Sequence, residues 1–165
     1  YVFVANHQSF LDVFAVYGWL PNNFKWLMKK EIRRVPFVGT ACAVAGHIFV
    51  DRSNPRAALQ SMEKVKKELV DGISTVIFPE GTRTKTGEIG RFKQGAFKIA
   101  MDMELPVVPI TLNGFYKAMP SGQPFANPFS HLSLHIGKPI DISQFTDIND
   151  AMLHVREKVE HGIVK

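Results

Sequence analysis

The sequence predicts a single α/β domain in which helices flank a mostly buried, mixed β-sheet. The chain has 165 residues, of which 45% are hydrophobic and 21% are charged. This ordinary globular composition excludes a disordered, collagen-like or coiled-coil chain, and a chain of this length can bury one full core. Short apolar runs alternate with helical patterns, which is typical of α/β proteins, and no linker, repeat or low-complexity tract divides the chain.

The predicted strands are short and largely apolar along their whole length. Such continuous runs favour strands that are buried on both faces of a sheet. The last run has a more alternating character. The predicted strands span residues 1–5, 24–28, 47–50, 74–78, 107–112 and 132–136.

The clearest predicted helix starts at Asn54 and ends before Gly72. Asn54 is a natural N-cap, Pro55 suits the first helical position, and glycine commonly follows a helix C-terminus. Apolar residues recur between them at helical spacing, so one face is expected to be buried. The other predicted helices span residues 12–20, 39–45, 92–103 and 150–161.

The charge balance favours anionic partners. The chain carries 20 Lys and Arg against 15 Asp and Glu, a net charge of +5, which suits phosphate esters, acidic lipids or nucleic acid. Nucleic acid is the weaker of these because no recognised binding motif accompanies the charge. A single cysteine, Cys42, excludes an intrachain disulfide and a cysteine-based metal cluster, and the histidine spacing predicts no metal site.

A membrane surface is a further candidate partner. Residues 24–34 combine apolar side chains with five cations and one acid, a composition that suits an anionic headgroup layer. The alternative is that Trp26 and Met28 are buried in a strand while the lysines are solvated. The uncharged run between Arg34 and Asp51 is shorter than the ~20 apolar residues that a spanning helix needs. Because the chain opens directly on a strand, we expect the natural protein to continue N-terminally.

Three polar segments follow predicted strands, at residues 6–12, 51–52 and 79–83. In α/β folds, ligands gather where loops leave the carboxyl ends of strands. We therefore expect the three segments to converge on one edge of the sheet.

In the first segment, His7 precedes Asp12 by five residues. A tight turn would let the carboxylate bind one imidazole nitrogen while the other faces a substrate, as in general base catalysis. The alternative is that both side chains only satisfy backbone groups of the turn. Ser9 is expected to support this turn or cap the following helix rather than act as a nucleophile.

The third segment combines Glu80, Gly81, Thr82 and Arg83. Glycine allows backbone shapes closed to other residues, and arginine binds phosphate with two parallel hydrogen bonds. Glu80 would accept a hydrogen bond from a polyol or hold Arg83. A surface turn with an ordinary salt bridge is the alternative.

Arg52, at the end of another strand, and Lys93 are further candidate cations for this edge. Taken singly, each is more simply explained as a structural or solvated side chain.

Together these segments resemble the glycerolipid acyltransferase family. Its first motif is Asn-His-x-Ser-x-x-Asp, which Asn6, His7, Ser9 and Asp12 match. The segments at 46–52, 78–83 and 107–110 resemble the family's second, third and fourth motifs, in order. The match is closest to the 1-acylglycerol-3-phosphate (lysophosphatidate) branch, where the second and third blocks read Phe-x-Asp-Arg and Phe-Pro-Glu-Gly-Thr-Arg, as they do here.

The resemblance implies a glycerol-3-phosphate acyltransferase-like fold over residues 1–165, a catalytic domain without the family's membrane-associating N-terminal helices. It implies that His7 is the general base and that Asp12 orients it. The residues implied to hold the acceptor are Arg52, Glu80, Gly81, Thr82, Arg83 and Lys93.

The implied reaction makes phosphatidic acid from a lysophospholipid acceptor and an acyl thioester donor. The donor is acyl-CoA or acyl carrier protein, used as a co-substrate without a cofactor, and the expected location is a membrane, on its cytoplasmic face. The alternatives are another lysophospholipid or lipid acceptor, a hydrolase of thioesters or phosphoesters, or a non-catalytic lipid-binding module.

Overall fold

The computed structural model describes residues 1–21, 23–51, 54–70 and 72–164. These residues form a six-stranded sheet in the order β3-β2-β4-β1-β5-β6. The strands are β1 (Val2–Ala5), β2 (Phe24–Lys29), β3 (Ile48–Val50), β4 (Ser74–Ile77), β5 (Val107–Asn113) and β6 (Ser133–Ile136).

The first five strands are parallel and β6 is antiparallel to β5, so the predicted mixed sheet is confirmed. β1 lies in the middle, where Val2 is in register with both Thr75 of β4 and Val107 of β5. Because parallel strands share their direction, the loops after β1, β2, β3, β4 and β5 leave the sheet at one edge.

Helices cover both faces of this sheet. The α-helices are α1 (Leu11–Trp19), α2 (Val38–Val44), α3 (Pro55–Glu68), α4 (Gly95–Asp102), α5 (Phe115–Ala118) and α6 (Ile148–His161). On one face, α3, α4 and α6 bury residues such as Val65, Phe97 and Val155 against Val2 and Val4 of β1. On the other face, α1 and α5 pack against the alternate β1 residues.

The predicted start of α3 is confirmed, because the Asn54 side chain accepts a hydrogen bond from the Ala57 amide at 2.9 Å. The start of α4 was predicted three residues too early. The Lys93 amide donates to the Pro79 carbonyl at 3.0 Å, so residues 92–94 are held by the preceding loop and the helix begins only at Gly95.

Three short elements of the structure were not predicted from the sequence. They are α5 and two 3₁₀ turns, at Lys30–Arg34 and Ile142–Gln144. None is long enough to show a helical period. α5 is preceded by Gly114 in the left-handed region, at φ +81°, which reverses the chain immediately after β5. Within the described ranges, no helix has both the length and the apolar character required to cross a bilayer.

Candidate active site

The loops after β1 and β4 meet at the carboxyl edge of the sheet, as predicted. The His7 amide donates to Glu80 Oε1 at 2.8 Å, and the Thr84 amide donates to the His7 carbonyl at 2.8 Å. Both main-chain groups of His7 are therefore bound by the loop that follows β4. β1 and β4 are adjacent in the sheet, which is why these two loops come together.

His7 and Asp12 form the pair that their spacing predicted. His7 Nδ1 lies 2.8 Å from Asp12 Oδ2, and the same oxygen accepts the Gln8 and Ser9 amides at 2.6 and 2.8 Å. The Asp12 side chain is fully buried, whereas His7 is 18% exposed. Because a carboxylate only accepts, Nδ1 carries the proton and Nε2 is left to accept one.

Ser9 supports the turn, which agrees with one of its two predicted roles. Its hydroxyl donates to the Met119 carbonyl at 2.8 Å and accepts the Leu11 amide at 3.2 Å. The N-cap position of α1 is occupied by Phe10, so Ser9 lies just outside the helix. Its proton is donated to the Met119 carbonyl and not to His7, which argues against a nucleophilic role.

Asn6 joins the catalytic turn to β5. Its side chain donates to the Leu112 carbonyl at 3.0 Å and accepts the Leu112 amide at 2.8 Å. These two hydrogen bonds extend the pairing of β1 with β5 one residue beyond the end of β1, and they fix the backbone just before His7.

The His7 ring is stacked on Phe78, with centroids 3.9 Å apart and planes 7° apart. Phe78 in turn stacks on Trp26 at 5.2 Å. Trp26 is only 4% exposed, so the alternative of a residue buried in a strand holds for Trp26, whereas Met28 on the same strand is half-buried. The stack fixes the plane of the imidazole and leaves its edge open.

An apolar groove of about 230 Å³ lies beside His7. The groove was not predictable from the sequence, because its walls come from α1, β2 and the first 3₁₀ turn, which meet only in the folded chain. The lining residues are His7, Val13, Trp26, Leu27, Met28, Lys29, Ile32, Phe78 and Gly81.

A polar basin of about 320 Å³ is formed by the loop after β4. The predicted residues Glu80, Thr82 and Arg83 lie in it. Lys85 and Arg91 also line the basin, although they were not predicted as site residues. The sequence feature that could have identified them is their positive charge within the loop that carries the third motif. Glu88 lines the basin as well, but within the described ranges Arg83, Lys85 and Arg91 form no ion pair, which leaves their charges available to an anion.

Gly81 lies in the chain between Glu80 and Thr82 of the basin, and Lys93 approaches it. Gly81 has φ +73° and lines the apolar groove, and a methyl group placed on it would lie 2.8 Å from Lys93 Nζ. The predicted cation Lys93 is therefore brought to this loop. Arg52 lies outside the described residues; of the block that carries it, Asp51 pairs with Lys30 at 2.8 Å.

Glu80 is 6% exposed, and both of its oxygens accept backbone amides. Oε1 binds His7 and Oε2 binds Gly90, each at 2.8 Å. Burial raises the pKa of the Glu80 carboxyl, and the two amide donors oppose that rise. Within the described ranges, no group of three or more His, Cys, Asp or Glu side chains is placed to hold a metal ion.

Comparison with known proteins gives consistent matches. A family model described as Acyltransferase matches residues 1–113. The Arabidopsis thaliana protein named 1-acyl-sn-glycerol-3-phosphate acyltransferase LPAT1, chloroplastic, is 36% identical over 160 residues, covering 96% of this chain and 45% of that protein. The Brassica napus protein named 1-acyl-sn-glycerol-3-phosphate acyltransferase BAT2, chloroplastic, is 39% identical over 139 residues, covering 84% of this chain and 40% of that protein. The chain thus spans less than half the length of these relatives.

A solved structure shares the fold. The crystal structure of the 1-acyl-sn-glycerophosphate (LPA) acyltransferase PlsC from Thermotoga maritima superposes with a TM-score of 0.79 at 26% sequence identity. The match covers 98% of this chain and 64% of that chain. The predicted fold is therefore confirmed.

Proposed function

The chain belongs to the acyltransferase family, and on that premise we propose that the protein acylates the free hydroxyl of 1-acylglycerol-3-phosphate to give phosphatidic acid. The observation that carries the proposal is the position of the His7–Asp12 pair, which is joined by the Phe78–Arg83 loop to both the apolar groove and the polar basin. A lysophospholipid has one apolar chain and one anionic headgroup, so the two cavities match its two ends.

In the proposed reaction, His7 Nε2 takes the proton of the acceptor hydroxyl as its oxygen bonds to the thioester carbon. The carbon–sulfur bond then breaks, and the departing thiolate takes the proton from the imidazolium. Asp12 holds Nδ1 at 2.8 Å and stabilises the imidazolium between these steps. The reaction uses acyl-CoA or acyl carrier protein as co-substrate and requires no cofactor.

The cations of the basin would bind the acceptor phosphate. Arg83 offers paired hydrogen bonds to phosphate oxygens, and Thr82, Lys93 and Arg52 are proposed to complete the acceptor site together with the Gly81 turn. The apolar groove would take a fatty acyl chain, because its walls are almost wholly aliphatic and aromatic.

The direct test supplies the full-length protein in its membranes with lysophosphatidic acid and a labelled long-chain acyl thioester, and identifies the products by mass spectrometry. Labelled phosphatidic acid supports the proposal. Labelled free fatty acid would indicate a hydrolase instead. A panel of other lysophospholipids separates the acceptors, and CoA and carrier-protein thioesters compared side by side separate the donors.

Replacing Arg83 with alanine is expected to raise the KM for the lysophospholipid. Loss of a charged hydrogen bond costs about 1.5–3 kcal/mol, which is roughly 10- to 100-fold in affinity. The measurement is steady-state kinetics with acceptor and donor varied separately. Lys98→Ala, an exposed cation on α4, is the matched control. A rise in donor KM with the acceptor KM unchanged would place Arg83 on the other substrate.

We also propose that the protein is associated with a membrane through the segment that follows β2. This segment carries exposed cations at Lys30, Arg33 and Arg34 and exposed apolar side chains at Phe37 and Val44. Phe37 is 91% exposed and has φ +62°, a conformation that is strained for a bulky residue. Cations next to apolar side chains suit an anionic lipid surface, and the cytoplasmic leaflet is such a surface.

A spin label at position 37, introduced by Phe37→Cys in full-length protein lacking other reactive cysteines, is expected to be reached by oxygen dissolved in the bilayer. A label at Val70→Cys, an exposed position just before the amino end of β4, should instead be reached by a water-soluble relaxation agent. Equal aqueous accessibility at both positions would contradict the proposed membrane contact.

A further inference from the structure

We propose that Glu80 is a positioning residue: it holds His7 through the His7 backbone and does not contact the acceptor. The inference rests on the proposed function, in which His7 is the general base. It replaces the substrate-binding role that the motif alone suggests for Glu80.

The first argument is that the Glu80 carboxylate is already occupied. Its two oxygens accept the His7 and Gly90 amides at 2.8 Å each, and the residue is 6% exposed. A glycerol headgroup that bound this carboxylate would have to compete with two charge-assisted backbone hydrogen bonds in a buried site, where such bonds are strong. Thr82 and Arg83, by contrast, are more exposed and line the same basin.

The second argument is that Glu80 provides one of several contacts that together fix the base. Asp12 binds the imidazole Nδ1, Phe78 stacks on the ring, and the Thr84 amide binds the His7 carbonyl. Glu80 binds the remaining main-chain group, the His7 amide. A catalytic group has to be held to within a fraction of an ångström, because a misplacement of 1 Å can cost about 10²-fold in rate.

The third argument is that the same carboxylate closes the loop that carries the basin cations. By binding Gly90, Glu80 joins the two ends of residues 80–90, which include Arg83 and Lys85. Position 90 suits glycine, since a methyl group there would lie 2.9 Å from Glu80 Oε2. Glu80 therefore sets the distance between the proton acceptor and the proposed anion site.

The test compares Glu80→Gln with the wild type in the full-length protein. Glutamine has a single acceptor oxygen, so one of the two backbone amides loses its partner and faces an NH₂ group. We expect kcat to fall on the order of 10²-fold, with the acceptor KM changed by less than about 3-fold. In Gly90→Ala the added methyl group would press on Glu80 Oε2, so we expect this variant to lower kcat as well. Glu157→Gln, an exposed site on α6, removes the same charge and should leave both constants unchanged.

A double variant separates positioning from binding. If Glu80 acts through His7, adding Glu80→Gln to His7→Ala should lower the residual rate by less than about 3-fold, because the group being positioned is absent. A higher acceptor KM with kcat unchanged, or a full additional loss in the His7→Ala background, would overturn the inference.

A measurement that does not depend on catalysis distinguishes failure of this inference from failure of the proposed function. Hydrogen exchange measured by mass spectrometry should become faster at whichever of the amides of residues 7 and 90 loses its acceptor in Glu80→Gln, while the unfolding midpoint stays within a few degrees. Unchanged exchange at both amides would overturn the positioning role whatever the acceptor proves to be. If the wild type makes no phosphatidic acid but acylates another acceptor, the proposed substrate fails, and the kinetic comparison is made with that acceptor.

Discussion

Replacing His7 with alanine is expected to lower kcat for acyl transfer by about 10²–10⁴-fold, the usual contribution of a positioned general base. The imidazole borders the apolar groove with an open edge, since Nδ1 is bound to Asp12 and the ring face is covered by Phe78. Without it, the acceptor hydroxyl has to lose its proton to water. The acceptor KM should change little, because the proposed phosphate contacts lie in the basin.

The measurement is the rate of phosphatidic acid formation at saturating substrate, in membranes that contain equal amounts of folded protein. His135→Ala, an exposed histidine on β6, is the matched control and should retain full activity. A His7→Ala rate within about 3-fold of the wild type would remove His7 as the base.

Replacing Asp12 with asparagine is expected to lower kcat by roughly 10²-fold or more, with little change in acceptor KM. Asp12 Oδ2 accepts His7 Nδ1 and two backbone amides, whereas Oδ1 is buried without a hydrogen-bond partner among the described residues. Asparagine can present only its oxygen to the three donors, and its NH₂ then occupies a buried position without an acceptor. The neutral side chain also no longer stabilises the imidazolium.

Because Asp12 is fully buried, part of this effect could come from loss of stability, so kcat is measured at a temperature well below the variant's own unfolding midpoint. Ser9→Ala is a useful comparison: it removes the two part-buried hydrogen bonds of the Ser9 hydroxyl from the same turn without touching the His7–Asp12 pair. We expect it to lower the unfolding temperature more than kcat. An unchanged kcat in Asp12→Asn would show that Asp12 does not assist proton transfer.

Local features of this chain were predictable from sequence because they depend on neighbouring residues. The Asn54 cap, the strand-like run before His7 and the His7–Asp12 turn are examples, and each is confirmed. The family was also identified from the four ordered motifs, and the family match over residues 1–113 confirms it.

Features that depend on strand order were not predictable. The apolar groove needs β2 beside β4 and α1 across from the first 3₁₀ turn, and no periodicity encodes that arrangement. The contacts of Glu80 were missed for a related reason: a carboxylate in a motif suggests a ligand, yet its partners here are backbone amides at residues 7 and 90. The role of Arg52 stays a prediction, as it lies outside the described residues.

The central position of β1 has a consequence for how the protein is made. β1 is the first strand of this chain, yet its two neighbours, β4 and β5, are encoded more than 70 and 100 residues later. On a ribosome, β1 has to wait until β5 emerges before both of its edges are paired, and contacts so distant in sequence form slowly. Asn6 also reaches Leu112 only then. The turn that holds His7 is therefore completed late in synthesis, and a nascent chain that ends before β5 should have no assembled active site.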